Sequence, residues 1–144
     1  MVREVARSAL IPFSAEQAFS VVADVESYST FLPWCAESQV ISIEGNRLVG
    51  KLTLAKSGIR QSFVTENHLE PSSWMTMNLV DGPFNSLEGG WHFEPLGVDG
   101  VKVSLRLSFE LKGRILDQTF GRLFSVAADT MVDAFSSEIA KRYG

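Results

Sequence analysis

The sequence is poor in the residues that most metal and nucleophile sites require. It has one cysteine, Cys35, and two histidines, His68 and His92, among 144 residues. A single cysteine excludes an internal disulfide, and the histidines lack the His-x-His or His-Glu-x-x-His spacing of zinc sites. A thiol nucleophile would need one of these histidines as its base, and no third group that would orient the base is apparent. We therefore predict a protein that is not an enzyme and binds no metal.

Long apolar runs and an excess of positive charge are also missing. No window approaches 18 uninterrupted apolar residues, and the chain opens with Met-Val-Arg-Glu instead of an apolar leader segment. We therefore expect a soluble, cytoplasmic protein. The net charge of −4 gives no general attraction to phosphate, so DNA binding is not expected. Five cations remain candidates for a local basic patch: Arg3, Arg7, Lys51, Lys56 and Arg60.

The chain does contain one long amphipathic segment at its C-terminal end. The pattern of residues 114–144 predicts a single helix about 46 Å long. A compact chain of this size has a radius of gyration of only about 14–15 Å, so the helix must cross the whole molecule. At 100° per residue, its apolar side chains fall in one stripe and its polar side chains fall opposite. The apolar stripe comprises Leu116, Phe120, Leu123, Phe124, Ala127, Ala128, Met131, Ala134 and Phe135. One face of this helix is therefore expected to be buried.

Nearly everything before this helix alternates between strand patterns and turn signals. Strands are predicted at about 2–11, 36–44, 47–56, 59–69, 74–80, 86–95 and 101–112. Between the first two, Ser14 to Gln17 has the pattern of a capping box at the start of a short helix. Consecutive hairpins predict an antiparallel sheet, and its long strands favour a curved sheet wrapped around the terminal helix. This makes residues 1–144 one α+β domain.

A sheet of about six strands would be about 29 Å wide, which a helix about 10 Å in diameter cannot cover. Either the sheet curls tightly or a cavity remains, and small residues such as Ala127 and Ala128 lie opposite bulky aromatics. An interdigitated solid core is the alternative explanation. On the strand at 59–69, one parity places Gln61, Thr65 and Asn67 inside. These polar groups would need water or the polar head of a ligand as partners.

Several ordered motifs resemble one known family from end to end. They are Ser14-Ala15-Glu16-Gln17, Phe31-Leu32-Pro33-Trp34-Cys35, Leu79-Val80-Asp81-Gly82-Pro83-Phe84 with Leu87, Gly89-Gly90-Trp91, Phe93 and Pro95-Leu96, and Phe120-Gly121-Arg122 with Met131-Val132-Asp133-Ala134-Phe135. Together they resemble the coenzyme Q-binding, START-like family within the polyketide cyclase/dehydrase-like superfamily. That family includes the mitochondrial coenzyme Q chaperone and bacterial RatA-type proteins, some described as ribosome-association toxins.

The resemblance implies a helix-grip fold and a hydrophobic tunnel that holds ubiquinone or another polyprenyl lipid without chemistry on it. The leading hypothesis is therefore that the protein binds such a lipid and so supports the function of the respiratory quinone. The alternative is a ribosome-association toxin that binds the large ribosomal subunit and inhibits translation initiation. A third hypothesis, a cyclase or hydrolase acting on an apolar substrate, requires an acid or base inside the cavity.

Inward periodicity and aromatic bulk predict which side chains line the tunnel. The candidates are Trp34, Phe63, Met77, Phe84, Trp91, Phe93, Leu105, Leu107, Phe124, Ala128, Met131 and Phe135. The turns at 31–34 and 81–84 carry aromatic residues and are expected near one mouth, where they would touch the inner membrane surface. The permissive Gly82 makes the second turn the candidate gate, and a rigid turn that plugs the core is the competing interpretation.

Overall fold

The computed structural model describes residues 2–144 and contains seven strands and four α-helices. A 3-10 turn, Val25–Ser27, lies between α1 and α2. The elements in chain order are β1 Arg3–Ile11, α1 Ala15–Val22, α2 Tyr28–Phe31, β2 Cys35–Glu44, β3 Arg47–Lys56, β4 Ile59–Glu70, β5 Trp74–Asp81, β6 Phe84–Pro95, β7 Val101–Leu111, α3 Arg114–Gln118 and α4 Phe120–Tyr143. The predicted strands are confirmed with ends shifted by one or two residues.

All seven strands form one antiparallel sheet in the order β1-β7-β6-β5-β4-β3-β2. The predicted width of about six strands was therefore one strand too small. In β7 the alternation is strict, and Val101, Val103, Leu105, Leu107, Phe109 and Leu111 are all buried. The curved sheet holds α4 on this concave face, which confirms the helix-grip architecture.

The first helix begins where the capping-box pattern predicts. Ser14 Oγ accepts a hydrogen bond from the Gln17 amide at 3.1 Å, and Gln17 Oε1 accepts one from the Ser14 amide at 3.0 Å. These two bonds satisfy amide groups that a helix start leaves without partners. The apolar face of α1 buries Ala18, Phe19 and Val22 against the sheet.

The C-terminal segment is not one helix, as its periodicity predicted, because it breaks at Thr119. This residue has φ −103° and ψ −84°, which separates the five-residue α3 from the 24-residue α4. A continuous helix would direct the Asp117 carbonyl to the amide of Gly121. Here that carbonyl accepts from the Arg3 guanidinium at 3.1 Å, and Arg3 also binds the Asp117 carboxylate. The contact with β1 therefore satisfies a carbonyl that the break leaves without its helical partner, and α4 alone spans about 36 Å.

Two adjacent glycines allow the central strands to approach closely. A Cβ on Gly89 would lie 2.0 Å from the Arg106 carbonyl oxygen of β7, and one on Gly90 would lie 2.6 Å from the Met75 carbonyl oxygen of β5. Real Cβ atoms do not come this close to backbone atoms, so both positions require glycine. They lie directly before Trp91, whose buried side chain points to the concave face.

At the end of the barrel-like sheet where α4 begins, phenylalanine rings fill the interior. Phe84 is 1% exposed, and its ring lies 5.1 Å from that of Phe124 and 5.6 Å from that of Phe63. Phe109 and Phe120 complete the group, mostly with edge-to-face geometry. This geometry is the favoured one for aromatic pairs, so this end of the interior is packed solid.

Candidate functional site

An apolar cavity lies between the concave face of the sheet, from β3 to β7, and the middle of α4, and the segment between α1 and β2 closes it. The empty space in the cavity and its mouth is about 850 Å³, of which about 60 Å³ admits the centre of a water-sized molecule. Its wall consists of Val25, Tyr28, Leu32, Pro33, Cys35, Gly50, Leu52, Leu54, Phe63, Thr65, Asn67, Met77, Leu87, Trp91, Leu107, Phe124, Ala127, Ala128 and Met131. Sheet and helix thus leave the gap that their widths predicted.

The structure brings seven of the twelve predicted lining residues together around this cavity. They are Phe63, Met77, Trp91, Leu107, Phe124, Ala128 and Met131. The small side chains of Ala127 and Ala128 leave a notch on α4 that borders the cavity, as the alternation of small and large residues predicted. Five further candidates, Trp34, Phe84, Phe93, Leu105 and Phe135, do not belong to the wall.

Four of these five pack in the solid core. Phe84 belongs to the phenylalanine group at the start of α4, and Phe93 packs against Phe19 of α1 at 5.4 Å between ring centroids. Leu105 is 1% exposed on β7, and the Phe135 ring lies 5.0 Å from that of Trp91, behind the cavity wall. The alternation of side chains along each strand and the helix period predicted correctly that these four residues are buried. They could not predict that the residues pack against other side chains and do not border the cavity.

Trp34 lies outside the wall for a different reason. Its backbone is in the left-handed region with φ 64°, and its carbonyl accepts from the Ala55 amide at 2.9 Å. The Lys56 ammonium stands 4.6 Å from the centre of the indole ring, within reach of a cation–π interaction. The half-buried ring is therefore held at the surface by β3.

Residues that the periodicity did not single out close the cavity on the other side. Val25, Tyr28, Leu32 and Pro33 come from the short segment between α1 and β2. This segment has no regular period, so the only indication in the sequence was the expectation that the turn at 31–34 lies near the mouth of the cavity. Leu52 and Leu54 of β3 could be identified from the alternation of side chains along the strand. They pair with Phe63 and Gln61 on the neighbouring strand β4.

One polar pair lies inside this apolar wall. Thr65 Oγ1 donates to Asn67 Oδ1 at 2.9 Å, and Asn67 is 4% exposed. Within residues 2–144, no group accepts a hydrogen bond from Asn67 Nδ2, and no fully enclosed side-chain nitrogen or oxygen lacks a partner. The free amide hydrogens of Asn67 therefore face the cavity space. The predicted orientation of β4 is confirmed, and the cavity offers one hydrogen-bond donor in an apolar surround.

Residues 11–136 match the family described as polyketide cyclase / dehydrase and lipid transport. The chain belongs to this family. The ribosome association toxin RatA of Pseudomonas aeruginosa is 42% identical over 144 residues, which are 100% of both chains. The mitochondrial coenzyme Q-binding protein COQ10 homolog B of Xenopus laevis is 30% identical over 146 residues, covering 98% of this chain and 59% of that protein. The resemblance seen in the sequence motifs is thus confirmed.

Among solved structures, the Zhui aromatase/cyclase from Streptomyces sp. R1128 has the same fold. It aligns with a TM-score of 0.88 over 100% of this chain and 97% of that protein, at 14% identity. The same sheet and helix therefore occur in a protein of very low sequence identity. At such distances the similarity extends to the fold and not to the chemistry of the site.

The cavity wall contains two ionisable side chains, and their pKa values determine whether either could act as a base. Burial raises the pKa of the Tyr28 phenol, which donates to the Val22 carbonyl oxygen. Burial also raises the pKa of the Cys35 thiol to about 11, so the thiol stays protonated at neutral pH. Neither group is a base at pH 7. The wall described here contains no carboxylate, imidazole, ammonium or guanidinium group.

The two histidines lie away from Cys35. His68 is exposed on the outer face of β4, where its Nε2 lies 3.0 Å from Glu66 Oε1, and His92 is exposed on β6. In the part of the chain that the structure describes, no three metal-ligating side chains form a group. The one combination of nucleophile and base that the sequence offered is therefore not assembled.

The two aromatic turns lie at the same end of the sheet but differ in their relation to the cavity. Leu32 and Pro33 belong to the wall, whereas no residue of the turn at 81–84 does. Phe84 is buried, and Gly82 has φ 149° with its α-carbon packed against Phe63, where a Cβ would meet Phe63 Cβ at 2.7 Å. The second turn therefore plugs the core and does not border the cavity, which favours the plug over the gate, and gating by Gly82 stays a prediction. Across residues 2–144, no helix has the length and hydropathy needed to cross a membrane.

The structure also divides the predicted basic patch. Arg3 and Arg7 lie on β1 and bind Asp117 and Asp129, at 3.0 Å and 2.6 Å. The other three cations lie on β3 and β4, four or more strands away in the sheet order. The side-chain hydrogen bonds from Arg3 and Arg7 lower the pKa values of both aspartates. These arginines therefore fasten α3 and α4 to the sheet, and the five cations do not form one surface.

Proposed function

We propose that the protein associates with the ribosome, as the name of its RatA relatives describes for them. The observation that carries this proposal is 42% identity to RatA of Pseudomonas aeruginosa over the full length of both chains. The alignment runs from end to end of both chains, so it includes the surface segments as well as the core. The proposal includes the large ribosomal subunit as the partner, interference with translation initiation, and hence a cytoplasmic location.

Sedimentation with purified ribosomal subunits tests this function directly. We expect the protein to pellet with isolated large subunits through a sucrose cushion and to reduce their joining to small subunits when magnesium is raised. Isolated small subunits serve as the matched control. Absence of pelleting at 50 mM salt, or equal pelleting with both subunits, would contradict the proposal.

A second candidate function is the binding of an apolar ligand in the cavity. The observation that favours it is Asn67 Nδ2, a donor without a partner that faces apolar walls. A buried amide without a partner costs about 1–3 kcal/mol, which a bound acceptor such as a carbonyl oxygen would recover. Ubiquinone has carbonyl oxygens on an apolar ring and a thin isoprenoid tail. The relative named as a coenzyme Q-binding protein is consistent with this choice.

The cavity as it stands is smaller than a quinone ring requires. About 60 Å³ open to water-sized molecules holds a few waters, whereas sites for larger ligands measure about 300–1,000 Å³. A quinone ring therefore enters only if the wall moves outward. The segment that carries Leu32 and Pro33 is the part of the wall without strand or long-helix structure. We propose that displacement of this segment enlarges the site.

Tryptophan fluorescence provides the test, because Trp91 is 2% exposed and lies in the wall. With Trp34 and Trp74 replaced by phenylalanine, a short-chain ubiquinone should quench Trp91 in a saturable way. Asn67→Leu should weaken quinone binding about tenfold or more, and it should leave an alkane of similar length unaffected. Absence of saturable quenching, or equal effects on both ligands, would contradict this assignment. Extraction of protein from its native host followed by mass spectrometry identifies the resident ligand.

A further inference from the structure

Charge is distributed unequally between the two ends of the sheet. Because all strands are antiparallel, the β3–β4 turn, the β5–β6 turn and the linker after β7 lie at one end, together with the start of β2. The β4–β5 and β6–β7 turns lie at the other end. That second end exposes Glu70, Glu94 and Asp99. Lys102 is exposed there as well, so these carboxylates outnumber it three to one, and the net charge of −4 is distributed unevenly along the strands.

Three exposed cations lie close together in the chain at the first end, and we name them the basic end: Lys112, Arg114 and Arg122. Lys112 follows β7, Arg114 begins α3, and Arg122 lies in the first turn of α4. Within residues 2–144, no carboxylate forms an ion pair with any of them.

The acidic residues nearby do not cancel this charge. Arg3 already binds Asp117, and Arg60 already binds Glu37 at 3.1 Å, so these pairs are close to neutral. Glu110 accepts a hydrogen bond from Asn85, and Asp81 is exposed at the end of β5. Three cations thus lie beside two carboxylates at this end, which leaves a small positive charge.

The elements of the basic end are tied to one another by direct contacts. The Lys112 amide donates to the Pro83 carbonyl at 2.9 Å, which joins the end of β7 to the β5–β6 turn. Rings of Phe63 and Phe124 pack at 5.5 Å, which holds the start of β4 against the start of α4. The surface is therefore preorganised by the solid phenylalanine core beneath it. Ile115, which is 79% exposed, adds an apolar side chain among the cations.

We infer that the basic end is the surface that contacts the ribosome and that its partner there is the phosphate backbone of ribosomal RNA. This inference rests on the proposed ribosome association. Arginine and lysine neutralise phosphates without reading sequence, and the acidic opposite end would orient the molecule as it approaches. With so few contacts, the affinity for free nucleic acid stays low, in agreement with the negative net charge.

Two triple variants with the same loss of charge test the inference. The first is Lys112→Gln, Arg114→Gln and Arg122→Gln, and the matched control is Lys102→Gln, Arg106→Gln and Lys141→Gln, at exposed positions away from the basic end. Binding to isolated large subunits is measured between 50 and 300 mM potassium chloride. The first variant should bind at least about tenfold more weakly at 100 mM, and its slope of log affinity against log salt should fall by about two. The control should stay within about twofold of the wild type, and circular dichroism and thermal melts check that both variants fold.

The outcomes separate this inference from the proposed function. Tight wild-type binding that both variants retain would overturn the basic end as the contact surface and leave ribosome association standing. Tight binding without salt dependence would overturn RNA as the partner and indicate a ribosomal protein. No wild-type binding at 50 mM salt would overturn both.

Discussion

Replacement of the polar pair inside the cavity should stabilise the ligand-free protein. In the variant Thr65→Val with Asn67→Leu, both side chains keep nearly the same shape and lose their polar atoms. Asn67 is 4% exposed and Thr65 is 9% exposed, so both changes act on buried groups. Removing both partners of a buried hydrogen bond is nearly neutral, whereas removing an amide without a partner recovers about 1–3 kcal/mol.

The expected net gain is therefore about 1–2 kcal/mol in the free energy of unfolding, because a cavity water would offset part of the cost of the free amide. For a chain of this length, such a gain raises the melting temperature by about 2–8 °C. The single variant Asn67→Leu should gain less than the double variant. It leaves the Thr65 hydroxyl, now 2.9 Å from its acceptor, without that acceptor.

Urea unfolding of protein freed of lipid by organic extraction measures these differences, with the m-value as a check on two-state behaviour. Loss of more than about 1 kcal/mol in the double variant would refute the reasoning, because it would mean that Asn67 Nδ2 has a partner in the native protein. A stable variant that no longer binds quinone would show that the polar pair is retained for binding at the expense of stability.

Three further predictions concern single residues. Gly89→Ala should lower the free energy of unfolding by more than about 4 kcal/mol or prevent folding, because its Cβ would lie 2.0 Å from a backbone oxygen. The control Gly97→Ala, whose Cβ would have nothing within 4 Å, should lower it by about 1 kcal/mol. Similar urea midpoints for the two variants would contradict this prediction. At pH 8, Cys35 should react with iodoacetamide at least about a hundredfold more slowly in the folded than in the urea-unfolded protein, since burial raises its thiol pKa to about 11; equal rates would exclude this burial. The hydrogen bond from Arg3 lowers the pKa of Asp117, so this pair stabilises the fold above about pH 4 and the benefit is lost as pH falls through the lowered pKa. The difference in unfolding free energy between wild type and Arg3→Gln should therefore be larger at pH 7 than at pH 2.5, and a constant difference would count against the ion pair.

Local patterns in the sequence were sufficient to predict the seven strands and the first helix. The alternation in Val101–Leu111 and the capping box at Ser14 each act through residues within a few positions of one another. Such short-range signals determine which face of an element is apolar. They also predicted that Thr65 and Asn67 point inward, because strand parity is independent of what lies opposite.

The break at Thr119 was not predictable in the same way. No proline or glycine lies between Arg114 and Phe120, and the apolar stripe continues through the break. The contact that takes the place of the missing helical hydrogen bond is that of Arg3 with the Asp117 carbonyl, between residues 114 positions apart. Periodicity contains no information about a contact of this range.

The sequence by itself determined that a curved antiparallel sheet would bury the apolar face of a long helix with space to spare. Only the tertiary structure decided where that space lies. Phe84 and Phe124 are both inward-facing aromatics, yet Phe84 is enclosed by other rings and Phe124 borders the cavity. The same holds for charge, since strand order separates Arg3 from Lys56 and gathers Lys112 and Arg122 at one end. Parity assigns a side chain to a face, but the path of the helix across the sheet and the order of the strands determine its neighbours.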